Sequence, residues 1–256
     1  MKMSLQALIF DVDGTLADTE RDGHRVAFNQ AFADAGLDWH WDVATYGKLL
    51  AVTGGKERMK FYVEQFRPDY QKPADFEEMV VALHAAKTDH YTALMQEARI
   101  PLRPGVERLL REAREAGLRL AIATTTTPAN VSALLASTLG QEGESWFEVI
   151  GAGDIVPAKK PAPDIYDYVL EQMKLGPSAC IAFEDSENGI LSSRGAGLQT
   201  VVTVNDYTRD HDFTGATIVL DTLGEPDLPS TVLQGGGING NTYVNLAVLH
   251  RLYASA

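Results

Sequence analysis

Ala7-Leu8-Ile9-Phe10-Asp11-Val12-Asp13-Gly14-Thr15 decides the fold. Four consecutive apolar residues read as a buried strand. The polar turn behind them exposes two carboxylates, one residue apart, where a ligand reaches both. In open α/β sheets ligands collect at the carboxyl ends of strands. Taken alone, the stretch also fits an ordinary polar turn after a strand. A calcium loop of the EF-hand kind fails on spacing: it needs glycine at its sixth position and glutamate at its twelfth, and this chain has Leu16 and Asp22 there.

The 256 residues, 45% of them hydrophobic, supply a packed core for one large domain or two smaller ones. With 22 basic against 35 acidic side chains the formal charge is −13, which argues against nucleic acid or an anionic membrane as partner. In so acidic a chain, each lysine or arginine near a phosphate site is informative. The single cysteine, Cys180, lies in the apolar stretch Ala179-Cys180-Ile181-Ala182-Phe183 and reads as a buried structural thiol in a reducing compartment. The N-terminus lacks the apolar core of a secretory leader, and no run approaches the ~18 apolar residues of a spanning helix. The expectation is a soluble cytoplasmic protein, in a bacterial cytosol or, in a plant, the plastid stroma.

Working outward from the first strand, residues 17–96 lose the strand signal. Val26, Ala27, Ala31 and Phe32 form a helical stripe ending at Gly36. Met59, Phe61, Tyr62, Val63 and Phe66 form a second before Pro68, and Phe76, Met79, Val80, Leu83 and Ala86 a third. This predicts a helical insertion. Ile100-Pro101-Leu102-Arg103-Pro104-Gly105 reads as the hinge where the chain returns, followed by a helix through Val106, Leu109, Leu110 and Ala113 closed by Gly117. Strands are then predicted at Leu118–Ala123, Val149–Gly151, Cys180–Phe183, Thr200–Val204 and Ile218–Leu220, with helices at Asn130–Leu139, Pro163–Met173 and Gly189–Ala196 between them. Such alternation implies a parallel sheet with helices on both faces, built from residues 1–16 and 97–256. In the tail, Pro226, Pro229 and Gly235-Gly236-Gly237 read as loop, with a helix at Tyr243–Tyr253. Gly235, Gly237 and Gly240 formally satisfy G-x-G-x-x-G. No clear strand precedes them and no ribose-binding acid can follow, so a flexible connector is the better reading.

Three further stretches fall at the same sheet edge. Thr124 follows Leu120-Ala121-Ile122-Ala123; its hydroxyl and the backbone N–H groups around it and Thr125 suit phosphate oxygens, although Thr126 or Thr127 can equally be a helix cap. Lys160, in Ala158-Lys159-Lys160-Pro161-Ala162-Pro163-Asp164, is either a solvated loop lysine or the cation that holds a carboxylate and a phosphate dianion together. Glu184-Asp185-Ser186 ends another buried strand. Its two acids can cap a helix or, with Asp11, give Mg²⁺ the few carboxylates it accepts.

An ordered set of D-x-D, Thr, Lys and Asp, each after a strand, resembles the four motifs of the haloacid dehalogenase superfamily of phosphotransferases, carried here by Asp11–Thr15, Thr124, Lys160 and Glu184-Asp185-Ser186. The resemblance covers essentially the whole chain. It implies a Rossmann-like α/β core with a helical cap inserted over residues 17–96. Asp11–Glu20 and Lys159–Asp164 are most similar to the branch of β-phosphoglucomutase and the CbbY-type sugar-bisphosphate phosphatases. Asp18-Thr19-Glu20 and the glycine-lysine loop favour the CbbY type. The implied chemistry is attack of Asp11 on phosphorus to form an aspartyl-phosphate, with Asp13 protonating the leaving oxygen and then activating water. Mg²⁺ would be held by Asp11, the Asp13 carbonyl and Asp185, with Glu184 on a coordinated water.

Specificity is expected from the cap. Thr53-Gly54-Gly55-Lys56-Glu57-Arg58 runs a glycine pair into a helix start, so Gly55, Lys56 and Arg58 either hold a distal phosphate or form an ordinary turn with exposed cations. Glu20 and His24 are candidates for sugar hydroxyls, His24 being equally compatible with a surface role. The resemblance suggests xylulose-1,5-bisphosphate, an inhibitor of Rubisco, as substrate, linking the protein to Rubisco functionally without a stable complex. A sugar phosphomutase would share every residue named and differ only in the phosphoryl acceptor. A noncatalytic binding protein on the same fold is the reading that the intact set of acids opposes.

Overall fold

A computed structural model describes residues 4–254 except 53, 98, 99, 237 and 239. Thr53 of the glycine-lysine loop and Gly237 of the glycine run thus lie outside the described residues. The chain separates into two compact units, Met1–Asp18 with Pro101–Ala256, and Thr19–Ile100.

The first unit is a Rossmann-like α/β sheet. Its strands are β1 (Ala7–Phe10), β2 (Arg119–Ala123), β3 (Val149–Gly151), β4 (Cys180–Glu184), β5 (Gln199–Thr203), β6 (Ile218–Leu220) and β7 (Val232–Gly235), in the spatial order β3-β2-β1-β4-β5-β6-β7. All neighbours pair in parallel except β6 and β7. All four β1 residues are fully buried, as a parallel strand covered on both faces requires. The order reverses beside β1, because β2 and β3 lie on one side of it and β4 to β7 on the other. Such a reversal is where open α/β sheets place their ligands. Phe10 is in register with Phe183, the rings stacked at 4.4 Å, so Asp11 and Glu184 leave the sheet side by side.

The second unit holds α1 (Arg25–Asp34), α2 (Val43–Leu49), α3 (Gly55–Phe66) and α4 (Phe76–Gln96), with a π-helical turn at Thr19–His24 leading into α1. Its core is aromatic: Trp41 stands 4.6 Å from Phe28, 4.8 Å from Phe32 and 5.4 Å from Tyr62. The first unit continues with α5 (Val106–Glu115), α6 (Pro128–Leu139), α7 (Asp164–Met173), α8 (Glu187–Gly195) and α9 (Leu246–Ala254). Among the described residues no helix is long and apolar enough to cross a membrane. Cys180 is buried in the core with Ile165, Tyr166 and Val169 of α7, and burial pushes its thiol up to about 11.

The sheet and most helices lie within a few residues of the positions read from sequence, and the differences have local causes. Read as loop, β7 is a short edge strand with three exposed residues and no apolar alternation. A strand therefore does precede the glycine run, correcting one ground for rejecting the dinucleotide fingerprint. The rejection stands on geometry, since Gly235 pairs antiparallel with Ile218 and the next helix begins only at Leu246. That helix starts later than Tyr243 because the Asn245 side chain accepts the Val248 N–H at 2.9 Å and caps it. The return stretch read as a hinge is held within the first unit: Leu102 bridges to Ala17, and the Arg103 N–H donates to the Leu16 carbonyl at 2.8 Å.

Candidate active site

Four loops at the carboxyl edge of the sheet wall a cavity of about 190 Å³, lined by Asp11, Asp13, Thr125, Lys160, Glu184, Asp185, Ser186 and Asn188. Lys160, brought in by the loop before α7, donates from Nζ to Asp11 Oδ1 and to Glu184 Oε1, both at 2.6 Å. The phenol of Tyr166, one turn into α7, donates to the same Glu184 oxygen at 2.5 Å. Asn205, just past β5, donates from Nδ2 to Asp185 Oδ2 at 2.7 Å. Ser186 caps α8 by accepting the Gly189 N–H at 3.2 Å, which fixes the turn that presents Glu184 and Asp185.

The electrostatics are those of a site short of positive charge. Burial would lower the Lys160 ammonium, but Asp11 and Glu184 outweigh it and hold the group above the usual lysine range. Burial pushes Glu184 up to about 7, with Lys160 opposing and Asp11 adding to the rise. Burial and the Asp11 and Glu184 charges push Asp185 well above the carboxylate range, against the pull of Asn205 and Arg103. One lysine does not satisfy this group of carboxylates, and burial makes the excess costly.

These residues fit a divalent cation. Asp11, Glu184 and Asp185 each offer a carboxylate oxygen within 4.8 Å of the others. Glu184 Oε2 is buried with no hydrogen-bond partner. Glycine alone leaves room at two walls: a Cβ on Gly189 would stand 1.9 Å from Glu184 Oε2, and one on Gly14 (φ +84°) 2.3 Å from Asp185 Oδ2. Few carboxylates with space for waters is the donor set Mg²⁺ accepts.

Of the residues singled out from sequence, Asp11, Asp13, Thr125, Lys160, Glu184 and Asp185 share this cavity. Thr124 is buried at the end of β2, and its hydroxyl accepts the Thr126 N–H at 3.3 Å. Thr127 caps α6 by accepting the Asn130 N–H at 3.4 Å, the capping role left open above.

A second cluster lies within the helical unit. Glu20 accepts the Tyr46 hydroxyl at 2.5 Å, Arg58 Nη1 donates to that hydroxyl at 2.7 Å, and Arg58 stands 3.8 Å from Glu20. His24 stacks on Tyr91 at 4.0 Å and accepts from the Lys87 ammonium at Nδ1, 2.8 Å away. Burial, opposed by Glu20 and helped by Lys87, pushes His24 down to about 4. Lys56 is exposed, and Gly55 opens α3 behind Gly54 at φ +95°.

Sequence reasoning did not select Tyr166, Asn205, Tyr46 or Lys87. Asn205 carried the usable signal, a polar residue right after a buried strand. Tyr166 sat hidden in an apolar helical stripe.

A family model described as haloacid dehalogenase-like hydrolase matches residues 5–197. The chain belongs to the haloacid dehalogenase-like hydrolases. Within that family it is 50% identical over 225 residues to protein CbbY of a Cupriavidus necator plasmid, covering 88% of each chain. The solved structure of Rhodobacter sphaeroides CbbY in complex with phosphate superimposes with a TM-score of 0.71 at 46% identity, covering 85% of this chain and 94% of that one. An aspartate-to-asparagine mutant of that CbbY, solved in complex with xylulose-1,5-bisphosphate, gives 0.71 at 45% identity over the same shares.

Proposed function

We propose that this member of the family is a Mg²⁺-dependent phosphatase that hydrolyses a sugar bisphosphate, xylulose-1,5-bisphosphate, through a phosphorylated Asp11. The observation that carries the reading is the Asp11 carboxylate held at 2.6 Å by Lys160 among three acids at the switch point of the sheet. Asp11 attacks phosphorus in line, an aspartyl-phosphate bond forms and the phosphorus–sugar oxygen bond breaks. Asp13 gives its proton to the departing oxygen. Asp13 then takes a proton from the water that attacks the aspartyl-phosphate, phosphate leaves, and the Asp11 carboxylate is restored. Lys160 holds the nucleophile and offsets phosphoryl charge, and the backbone and hydroxyls at Thr124 and Thr125 grip phosphate oxygens. Asp11, the Asp13 carbonyl and Asp185, with Glu184 beside them, would hold Mg²⁺, which when bound supplies the charge that lets carboxylate and phosphate approach.

The choice of sugar is supported by the relative solved with xylulose-1,5-bisphosphate. In the helical unit, residues 17–96 of the sequence reading, we assign Glu20 and His24 to sugar hydroxyls and Gly55, Lys56 and Arg58 to the distal phosphate. The link to Rubisco is then removal of an inhibitor, with no stable complex, in the cytosol or stroma.

Phosphate release measured with xylulose-1,5-bisphosphate and with hexose monophosphates, each with Mg²⁺ and with chelator, tests the proposal. The expected result is a preference for the bisphosphate of at least about tenfold in kcat/KM, abolished by chelator. Faster release from hexose monophosphates overturns the substrate. An isomerised sugar phosphate without free phosphate overturns hydrolysis in favour of a mutase.

A further inference from the structure

Arg103 takes no part in the chemistry above, yet its guanidinium is buried against the same sheet edge. Nη1 donates to the Gly14 carbonyl, to the Thr203 carbonyl at 2.9 Å and to Thr203 Oγ1 at 3.0 Å. Nη2 donates to the Val204 carbonyl at 2.5 Å and the Asp221 carbonyl at 3.0 Å, and Nε stands 3.3 Å from Asp18 Oδ1. One planar fork thus joins the turn after β1 to the ends of β5 and β6. Burying a guanidinium, which cannot shed its proton, is tolerable only when its donors are satisfied in this way.

Two of these acceptors bracket the acidic cluster. Gly14 packs so closely on the Asp185–Asn205 pair that a Cβ there would fall 2.3 Å from Asp185 Oδ2 and 2.6 Å from Asn205 Nδ2. Its own N–H donates to the Ala17 carbonyl at 2.8 Å, so both sides of the residue are fixed. Val204 immediately precedes Asn205, whose amide orients Asp185. The same guanidinium therefore holds the Gly14–Thr15 peptide, one residue past Asp13, and the peptide that leads into Asn205. A displacement of either moves Asp13 or Asp185.

We propose that Arg103 is a positioning residue for the phosphoryl-transfer reaction, acting through Gly14 and Val204 on Asp13 and on the Asp185–Asn205 pair. This rests on the phosphatase reading. Displacing catalytic groups by about 1 Å costs up to about 10²-fold. Arg103→Lys keeps the charge but loses the fork, because a single ammonium cannot serve both sets of acceptors.

The test uses p-nitrophenyl phosphate, whose hydrolysis needs the acids of the first unit and no sugar recognition. Arg103→Lys is expected to lower kcat about ten- to a hundredfold with KM within twofold, and to weaken Mg²⁺ binding measured by calorimetry on the folded, substrate-free protein. Arg119→Lys, which loosens an exposed ion pair with Glu148 at the opposite end of β2, is expected to leave both unchanged. Wild-type kcat and Mg²⁺ affinity in Arg103→Lys overturn the proposal, as does a loss that matches only the unfolded fraction. Should that variant fail to fold, Thr203→Val decides: it removes one acceptor, and a severalfold lower kcat at unchanged KM supports the proposal while wild-type kcat overturns it. A wild-type protein inert toward every phosphomonoester instead breaks the phosphatase reading, and the Mg²⁺ affinities then decide the role of Arg103.

Discussion

Each unit holds a cluster of charge, buried in the sheet unit and half-buried in the helical one, and the clusters have opposite balances. In the sheet unit Asp11, Glu184 and Asp185 lie together with one lysine, which pairs with the first two, and Glu184 and Asp185 are pushed upward. In the helical unit one carboxylate, Glu20, meets Arg58 and the neighbourhood of Lys87, and its acidity is strengthened; burial alone would raise its pKa, but His24, Arg58, Tyr46 and Lys87 together lower it. Buried charge of one sign calls for a ligand of the other. The first balance suits a metal cation, the second a phosphate or an oxygen-rich sugar, which supports the proposed division of chemistry to one cluster and selection to the other.

That division can be broken by substitution. Asp11→Asn removes the nucleophile and is expected to lower kcat on any phosphomonoester by on the order of 10⁴-fold or more, with no acid-stable phosphoprotein trapped after rapid quenching. Activity within tenfold of wild type would end the assignment of chemistry to the first cluster. Arg58→Ala is expected to raise KM for a sugar bisphosphate at least about tenfold and leave p-nitrophenyl phosphate untouched. Equal losses on both substrates would show that the second cluster does not select.

The smallest effect concerns proton linkage. His24 has its pKa lowered to about 4 from an unfolded value of 6.5, so between those values the unfolded chain binds the extra proton. Stability should therefore fall as pH drops from about 6.5 toward 4, by on the order of 2 kcal/mol for this group after allowance for its partial exposure. His24→Asn should flatten that part of a urea-denaturation profile against pH. A profile as steep as wild type would mean that His24 is not held neutral.

Legibility differed between the clusters for a physical reason. In the sheet unit each acid or lysine directly follows a buried strand or precedes a helix, so position along the chain reports position at the sheet edge, and Asp11, Lys160, Glu184 and Asp185 could be grouped from sequence. In the helical unit Glu20, Tyr46 and Arg58 meet across separations of 26 and 12 residues. No local pattern records that meeting, so Tyr46 was missed even though Glu20 and Arg58 were singled out. The same limit hid Arg103, whose acceptors lie 89 to 118 residues away, and β7, whose exposed residues carry no periodic signal.

The central placement of β1 also governs how the protein fails. A strand hydrogen-bonded on both edges and fully buried on both faces cannot fray. Its amide protons exchange with solvent only through the opening that unfolds the whole sheet, whereas an edge strand such as β7 opens alone. Asp11 is the next residue along that strand, so under rising denaturant the nucleophile loses its place together with the fold and not before it.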